Sequence, residues 1–315
     1  MTMKVYRDFD EIEFDKKTVL TVGTFDGVHR GHKTILNRLK EISKKDSLRT
    51  VVLTMEPHPR IVLQKGDKPP ISLLTNINER ITEFRRQGIE NCVVMTFSYE
   101  FSQIPAEEFI REYLSKKVGM SKILVGYDHM FGKNRDGDEK LLERLGKELD
   151  FEVERIEAME DHEVIISSTK IRNALKENEI EKANEMLGYD YMIQGIVVKG
   201  DGRGKQLGFP TANLIPPNLY KLVPANGVYI VSSIIEDKLY YGLVNIGTRP
   251  TFHNQDASTI EVHFLDLDMD LYGTELYINF HKFIRSEKKF NGPSELVKQI
   301  NIDKEFAINY IANLK

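Results

Sequence analysis

The densest group of chemically useful side chains is a ten-residue segment, GTFDGVHRGH, from Gly23 to His32. Glycines let the backbone approach a ligand closely, and the N–H groups at a helix amino terminus attract phosphate. His29 and His32 add two donors that would stabilise charge developing on a phosphoryl group, so we predict them to be catalytic. The residues predicted to contact nucleotide phosphates are Gly23, Phe25, Asp26, Gly27 and Gly31. The simpler alternative is a glycine turn with two surface histidines.

Three other polar clusters accompany this segment. EPHP from Glu56 to Pro59 and GYDHMFG from Gly126 to Gly132 each follow an apolar run, and ligands of open α/β sheets bind at the carboxyl ends of the strands. ISSTKIR, from Ile166 to Arg172, precedes a helical run and on its own is a good capping sequence. Beside a phosphate site it predicts a clamp on a nucleotide triphosphate. The clamp residues would be Ser168, Thr169 and Arg172.

The second half of the chain has its own phosphate signal in GDGRGKQLGFPTANL, from Gly200 to Leu214. Gly202, Gly204 and Lys205 are predicted to surround a phosphate chain. Thr211 and Asn213 are two residues apart in an extended segment, so their side chains point to the same side. Hydroxyl and amide oxygens suit Mg²⁺ bound together with nucleotide phosphates. The alternative is a glycine-rich hairpin followed by an asparagine turn.

One later residue, Glu261, alternates with Ile260 and Val262 in a β-like run. Taken alone, a glutamate in a strand is typically a solvated surface residue. The segment FIRSEKKF, from Phe283 to Phe290, is by itself an ordinary charged stretch.

The predicted helices and strands that must position these residues follow two different patterns along the chain. In the first part of the chain, short apolar runs alternate with helix-period segments, which is typical of a doubly wound parallel α/β sheet. The predicted strands are Val19–Thr24, Thr50–Met55, Cys92–Phe97, Lys122–Gly126 and Glu152–Ala158. The predicted helices are His32–Lys45, one capped by Asn76 with Glu79 three residues on, one beginning at Pro105, Asp138–Leu149 and Asn173–Leu187.

After Gly188 the runs become β-like, with no helical segment before Ser294. This pattern predicts a small antiparallel barrel or sandwich that is closed by a carboxyl-terminal helix. We therefore predict two domains, 1–187 and 188–315. The β-like runs are Met192–Lys199, Val228–Ile235, Leu239–Ile246, Thr259–Leu265 and Glu275–Phe283.

Composition excludes several classes of function. Among 315 residues, 44 basic side chains against 48 acidic ones give a formal net charge of −4, which argues against nucleic-acid binding. The single cysteine, Cys92, rules out a disulfide framework and a cysteine-based zinc site. No apolar run approaches the roughly 18 residues that a membrane span needs. The acidic amino terminus lacks a signal-like apolar core, so we expect a cytoplasmic protein without membrane partners.

Taken together, these motifs resemble a known family. GTFDGVHRGH with ISSTKIR resembles the nucleotidyltransferases, and no P-loop or G-x-G-x-x-G is present. Adding GRGKQLGFPTANL, IEVHFLD and FIRSEKKF, the chain resembles the prokaryotic bifunctional riboflavin kinase/FAD synthetases over nearly its whole length, in order. The resemblance implies an amino-terminal FMN adenylyltransferase and a six-stranded barrel kinase. Riboflavin, FMN and ATP would be the substrates, with Mg²⁺.

The resemblance also implies residue roles. His29 and His32 match the ATP-phosphate histidines, and Glu261 matches the general base. Ser168, Thr169 and Arg172 match the second phosphate motif, Thr211 and Asn213 the Mg²⁺–nucleotide pair, and Asp128 and Arg285 residues near the flavin. His129 stands where the family more usually has Phe, which bears on how the first site packs against a flavin ring.

Two other functions remain open from the sequence. In one, only the kinase half is active and FMN accumulates. In the other, the chain is a flavin-sensing protein that regulates RNA or a partner, a reading that the charge of −4 disfavours for RNA. The sequence leaves self-association open.

Overall fold

The computed structural model describes residues 3–64, 70–126, 131–133, 136–157, 160–161, 164–200, 202–248 and 258–314. The chain folds into two compact units, Met1–Ser168 and Thr169–Lys315. Residues 169–187 belong by packing to the second unit, so the compact units divide earlier than the predicted domain boundary between 187 and 188. That boundary stays a prediction.

A parallel sheet of six strands forms the centre of the first unit, in the order β1-β4-β3-β2-β5-β6. The central strands are apolar on both faces, as a sheet covered by helices on both sides requires. This confirms the predicted doubly wound sheet. The strands are β1 (Lys4–Tyr6), β2 (Thr18–Val22), β3 (Arg49–Glu56), β4 (Asn91–Thr96), β5 (Met120–Gly126) and β6 (Glu152–Ile156), followed by a two-stranded ribbon of β7 (Glu160–Asp161) and β8 (Val164–Ile165).

Helices cover the two faces of this sheet through separate apolar clusters, one around Leu20, Leu53 and Ile110 and the other around Leu36 and Phe84. The helices of the first unit are α1 (Arg30–Asp46), α2 (Pro59–Val62), α3 (Ile77–Arg86), α4 (Ala106–Glu108) running into a π-helix (Phe109–Val118), and α5 (Glu139–Leu149), with a 3₁₀ turn at Phe101–Gln103. Helix α6 (Ser168–Lys176) belongs, apart from its first residue, to the second unit. None of the helices in the described part of the chain is long and apolar enough to cross a membrane.

Two local features test the predicted boundaries. The Asn76 side chain accepts from the Glu79 N–H at 2.9 Å, and Glu79 accepts from the Asn76 N–H at 2.8 Å, which confirms the predicted cap as a full capping box. The single helix predicted over 173–187 is wrong, because the run divides into α6 and α7 (Ile180–Leu187). Asn178 adopts a left-handed φ of 61° between them, and its side chain accepts from Tyr229 Oη at 2.6 Å.

The second unit is a closed antiparallel barrel in the order β10-β13-β12-β11-β14-β9. This confirms the barrel alternative and its six strands. The strands are β9 (Tyr191–Val198), β10 (Ala212–Ile215), β11 (Gly227–Ile235), β12 (Lys238–Thr248), β13 (Ser258–Phe264) and β14 (Glu275–Arg285), with the short α8 (Arg203–Gln206) and the closing α9 (Pro293–Ala312).

Helix α9 packs on the outer face of the barrel. Val228, Ile230 and Leu243 form an apolar cluster with Ala307 of the helix. A buried ion pair reinforces the contact. Asp303 is only 3% exposed, and its carboxylate accepts a hydrogen bond from Arg285 Nη2 at 2.8 Å. Gln299 Nε2 donates to the same carboxylate at 2.9 Å. The ion pair therefore holds the helix to β14, and the apolar cluster holds it to β11 and β12.

This ion pair predicts a large stability effect. Asp303→Ala leaves the Arg285 guanidinium partly buried without its counter-charge, so we expect the second unit to lose about 3 kcal/mol of unfolding free energy. Gln299→Ala, which removes one hydrogen bond to the same carboxylate, should cost about 1 kcal/mol. Urea unfolding of the full chain measures both. Equal losses in the two variants would contradict the role given to the ion pair.

Candidate functional site

The predicted phosphate segment is the loop between β2 and α1, at the carboxyl end of the parallel sheet. Asp26 anchors this loop, because its carboxylate accepts from the backbone N–H groups of Leu74 at 3.2 Å and Thr75 at 3.0 Å. Gly27 N donates to Thr75 Oγ1 at 3.0 Å. Asp26 is 1% exposed. The contacts of Asp26 therefore hold the loop against the residues before α3, and its contact with nucleotide stays a prediction.

The loop itself is held in an unusual backbone conformation. Phe25 and Val28 have left-handed φ values of 48° and 35°, and Gly27 has 87°. Such conformations persist only where the surroundings enforce them. Here the buried Phe25 ring packs edge-on against Phe84 and His32, with centroids 5.6 and 5.2 Å away. The predicted ligand-binding backbone is thus preorganised by the core.

The two catalytic candidates stack on each other at the start of α1. Their ring centroids are 3.7 Å apart with an interplanar angle of 17°. His29 caps the helix by accepting from the His32 N–H at 3.4 Å through Nδ1. In the neutral ring its proton is therefore on Nε2. At Gly31, a Cβ would lie 3.3 Å from the His29 ring, so glycine leaves room for the stack.

His32 is electrostatically unusual. Its Nδ1 is buried and has no hydrogen-bond partner among the residues that the structure describes. Burial, then His29 and then Arg80, hold the pKa of His32 well below its usual range. His32 is consequently a neutral imidazole near neutral pH, able to donate one hydrogen bond without carrying charge at rest.

Sequence reasoning missed Arg80, which lies on α3 and is fully buried. Its Nη1 donates to Thr54 Oγ1 at 2.9 Å and to the Met55 carbonyl at 3.0 Å, and Nη2 lies 3.7 Å from Glu56 Oε2. Burial raises the pKa of Glu56, and Arg80 opposes that rise.

A signal for Arg80 was present in the sequence. Arg80 falls at helical spacing between Ile77 and Phe84, on the apolar face of α3, where an arginine is rarely buried.

The remaining candidates of the first half are placed only in part. Ser168 begins α6 and donates through Oγ to the Asp26 carbonyl at 2.9 Å, which joins two predicted motifs. Thr169 and Arg172 follow on the same helix, within the second compact unit, and their phosphate role stays a prediction. Asp128 and His129 lie outside the described residues.

In the second unit, strand register brings the candidates into one row. Asn213 pairs with Glu261, Glu261 with Asn245, Asn245 with Val228, and Val228 with Arg285, across five strands. Directly paired residues present their side chains to the same face of a sheet. The predicted metal residue, the predicted base and the predicted flavin residue therefore share one face of the barrel.

A cavity of about 340 Å³ opens on this face, within the range of small-molecule sites. Gly204, Thr211, Glu261 and Arg285, all predicted from the sequence, line it. The residues that the prediction missed include Asn245, Glu287, His263 of β13 and Leu296, Ile300 and Asp303 of α9. Burial lowers the pKa of His263, so its ring is neutral near neutral pH.

Glycines shape the approach to the metal candidates. A Cβ at Gly200 would lie 2.1 Å from Asn213 Nδ2, and one at Gly204 would lie 2.3 Å from the Phe209 carbonyl oxygen. Gly202 has a left-handed φ of 70°. The loop therefore needs glycine where it closes over Asn213 and Phe209. The Lys205 side chain lies outside the described part of the chain.

Arg285 lies in the cavity wall with its donors engaged. Nε and Nη2 bond to Asp303, and Nη1 donates to the Ser286 carbonyl at 3.1 Å. The geometry gives Arg285 the task of holding α9 at the cavity, and its predicted flavin contact stays a prediction.

The chain matches two protein-family models, FAD synthetase over residues 11–170 and riboflavin kinase over residues 187–311. The bifunctional riboflavin kinase/FMN adenylyltransferase of Bacillus subtilis (strain 168) is 37% identical over 307 residues, which cover 96% of this chain and 95% of the relative. The protein of the same description from Escherichia coli (strain K12) is 38% identical over 286 residues, covering 90% of each chain.

A solved structure is also similar over almost the whole chain. It comes from Streptococcus pneumoniae, is described as a macrolide-efflux protein, and has a TM-score of 0.87 at 30% sequence identity. The match covers 98% of this chain and 99% of the streptococcal one. Its description concerns that protein, and the likeness supports the folds described above.

The depressed pKa of His32 predicts how stability depends on pH. An unfolded histidine has a pKa of about 6.5, so below that pH the unfolded chain binds a proton that His32 in the folded protein does not bind. Stability is therefore full above about pH 6.5 and falls as pH drops towards the folded pKa. His32→Gln should lose less unfolding free energy than the wild type between about pH 7 and pH 5. Urea unfolding at both pH values checks this, and equal losses would refute it.

Proposed function

Since the chain belongs to the bifunctional riboflavin kinase/FMN adenylyltransferase family, we propose how its residues divide the two reactions. The second unit phosphorylates riboflavin to FMN, and the first adenylylates FMN to FAD with release of pyrophosphate. The observation that carries the proposal is the row of paired residues in the barrel, which sets Glu261 beside Asn213 and Asn245 on the face that holds the cavity.

In the kinase reaction, the Glu261 carboxylate takes the proton of the terminal ribityl hydroxyl of riboflavin. The freed oxygen forms a bond to the γ-phosphorus of ATP while the bond to the bridging oxygen breaks, and ADP leaves. Alcohols are weak nucleophiles at neutral pH, so a base held at the hydroxyl removes a large part of the barrier. Glu261 is half-buried and lines the cavity, where a bound hydroxyl can reach its carboxylate.

The residues beside Glu261 fit a magnesium ion. Thr211 and Asn213 offer hydroxyl and amide oxygens, and the glycines at 200 and 204 leave both side chains approachable from the loop. A bound Mg²⁺ would neutralise charge on the ATP phosphates in this unit. The protein's own part is to hold those two oxygen donors on the face that carries the base.

In the adenylyl transfer, an oxygen of the FMN phosphate attacks the α-phosphorus of ATP, and the bond to the pyrophosphate oxygen breaks. His29 and His32 donate hydrogen bonds to the α-phosphate, together with the N–H groups at the start of α1. The loop that carries these donors is held by the core, so little reorganisation is needed as charge grows on the phosphate. Ser168 supports the loop from Asp26.

We assign the protein small-molecule substrates only and a cytoplasmic location. The exclusion of nucleic acid rests on the net charge of −4, and the location rests on the metabolic reactions of the family.

Glu261→Gln separates the two reactions. The amide cannot accept the hydroxyl proton as a base, so FMN formation should fall about 100-fold or more. FAD formation from supplied FMN should continue, because that reaction belongs to the other unit. Chromatography of incubations with riboflavin, ATP and Mg²⁺, or with FMN instead of riboflavin, measures both. If the two activities fall together, the base assignment is wrong.

His32→Ala tests the other half of the proposal. Loss of one preorganised donor should depress FAD formation from supplied FMN by about 10²- to 10³-fold and leave FMN formation in place. His32→Gln, which keeps an N–H donor, should be less impaired. A change of under about threefold in His32→Ala would make His32 a packing residue.

A further inference from the structure

His263 is two residues beyond Glu261 on β13, on the same face of the strand. Its Nδ1 lies 2.9 Å from the Pro210 carbonyl oxygen. Because a carbonyl oxygen only accepts hydrogen bonds, Nδ1 carries the proton and donates. The Phe209 ring packs edge-on against the imidazole, with centroids 5.4 Å apart and planes at 81°. One side chain thus contacts two consecutive residues of another segment.

The residues that His263 holds lead directly to the metal candidate. Pro210 precedes Thr211, and Thr211 comes just before β10, whose ladder with β13 begins at the pair Ala212 and Val262. Extending that register by one residue would set Thr211 opposite His263. No such pair is formed, and proline has no N–H to add to the ladder. The hydrogen bond from His263 therefore ties Pro210, the residue before Thr211, to β13 beyond the end of the ladder.

The glycine loop is tied to the same point. Phe209 N donates to the Gly204 carbonyl at 2.8 Å, and Leu207 N donates to that carbonyl at 3.1 Å. Gly204 in turn lies against the Phe209 carbonyl, so any Cβ there would collide with it. A shift of Phe209 and Pro210 would carry Gly204 with it. Gly204, Phe209, Thr211 and His263 all line the cavity.

We propose that His263 is a positioning residue for the kinase reaction, fixing the glycine loop and Thr211 relative to Glu261 through its Nδ1–H bond to Pro210. The inference rests on the proposed roles of Thr211 and Glu261. One strand then carries the proton acceptor and, two residues on, the bond that sets the nucleotide-binding segment. The base and the phosphates of ATP are held in register by a single strand.

The test is a pair of near-isosteric variants. Asparagine places an amide N–H near the position of Nδ1, whereas glutamine places it near Nε2 and leaves the Pro210 carbonyl without its donor. His263→Gln should raise the KM for MgATP in FMN formation about 5- to 10-fold, the effect of one hydrogen bond, and change the KM for riboflavin less than about twofold. His263→Asn should stay within about twofold of the wild type in both constants.

A second measurement follows the mobility of the segment over residues 204–211 without turnover. Hydrogen–deuterium exchange of the peptide over residues 204–211, in the full chain without substrates, should quicken in His263→Gln and stay as in the wild type in His263→Asn. FAD formation from supplied FMN reports the integrity of each preparation, because it takes place in the other unit. Nitrogen NMR of the wild-type imidazole should show Nδ1 protonated.

Several results would overturn the inference. They are equal behaviour of the two variants, a rise in the riboflavin KM as large as that in the MgATP KM, or an Nε2–H tautomer in the wild type. These failures are distinct from failure of the proposed function. If His263 variants are indistinguishable while Glu261→Gln abolishes FMN formation, only the positioning role is lost. If Glu261→Gln retains FMN formation, the assignment on which the inference rests is itself wrong.

Discussion

The pairing of Glu261 with Asn213 on one side and Asn245 on the other is the constraint on which the second unit depends. Side chains along a strand alternate between faces, so a slip of one residue in either ladder would turn Glu261 away from its neighbours. A closed barrel resists such a slip because every strand is paired on both edges. The apolar residues of β13 enforce the same register, since Ile260 and Val262 are buried on the opposite face.

The first unit depends on a different constraint, the burial of polar groups that fold a loop. Asp26 accepts hydrogen bonds from backbone N–H groups of the segment before α3. Arg80, on α3 itself, donates hydrogen bonds to the end of β3. A buried carboxylate and a buried guanidinium are costly unless they are bonded, so these contacts admit few alternative loop conformations. His29 and His32 stack on this loop, and glycine at position 31 leaves room for the His29 ring.

Much of this could be predicted from the sequence, for identifiable physical reasons. The long strands and helices carry strong periodicity, and the Asn76–Glu79 cap is a purely local signal. What depends on distant parts of the chain was not visible. The edge strand β1 is only three residues long and gains its character from pairing with β4. At the break between α6 and α7, Asn178 contacts Tyr229, which lies far along the chain.

The site divides in the same way. Glycines, histidines and the Thr211–Asn213 pair form motifs within single segments, so sequence alone identified them. The α9 wall of the cavity and the bond from His263 to Pro210 join segments that are far apart in sequence. Arg285 shows how far a motif can predict a residue's role. Its position at the cavity was predictable, but its ion pair with Asp303 was not.

The two units also differ in the proton chemistry that their nucleophiles require. A ribityl hydroxyl holds its proton at neutral pH, so the kinase needs a base, and Glu261 lies on the cavity face. A phosphate monoester has a second pKa of about 6 and is already an anion at neutral pH, so adenylyl transfer needs donors rather than an acceptor. A neutral His32, held so by burial and by the nearby Arg80, fits that need. The carboxylate of Glu261 in one site and the neutral imidazole of His32 in the other thus match the charge that each nucleophile brings.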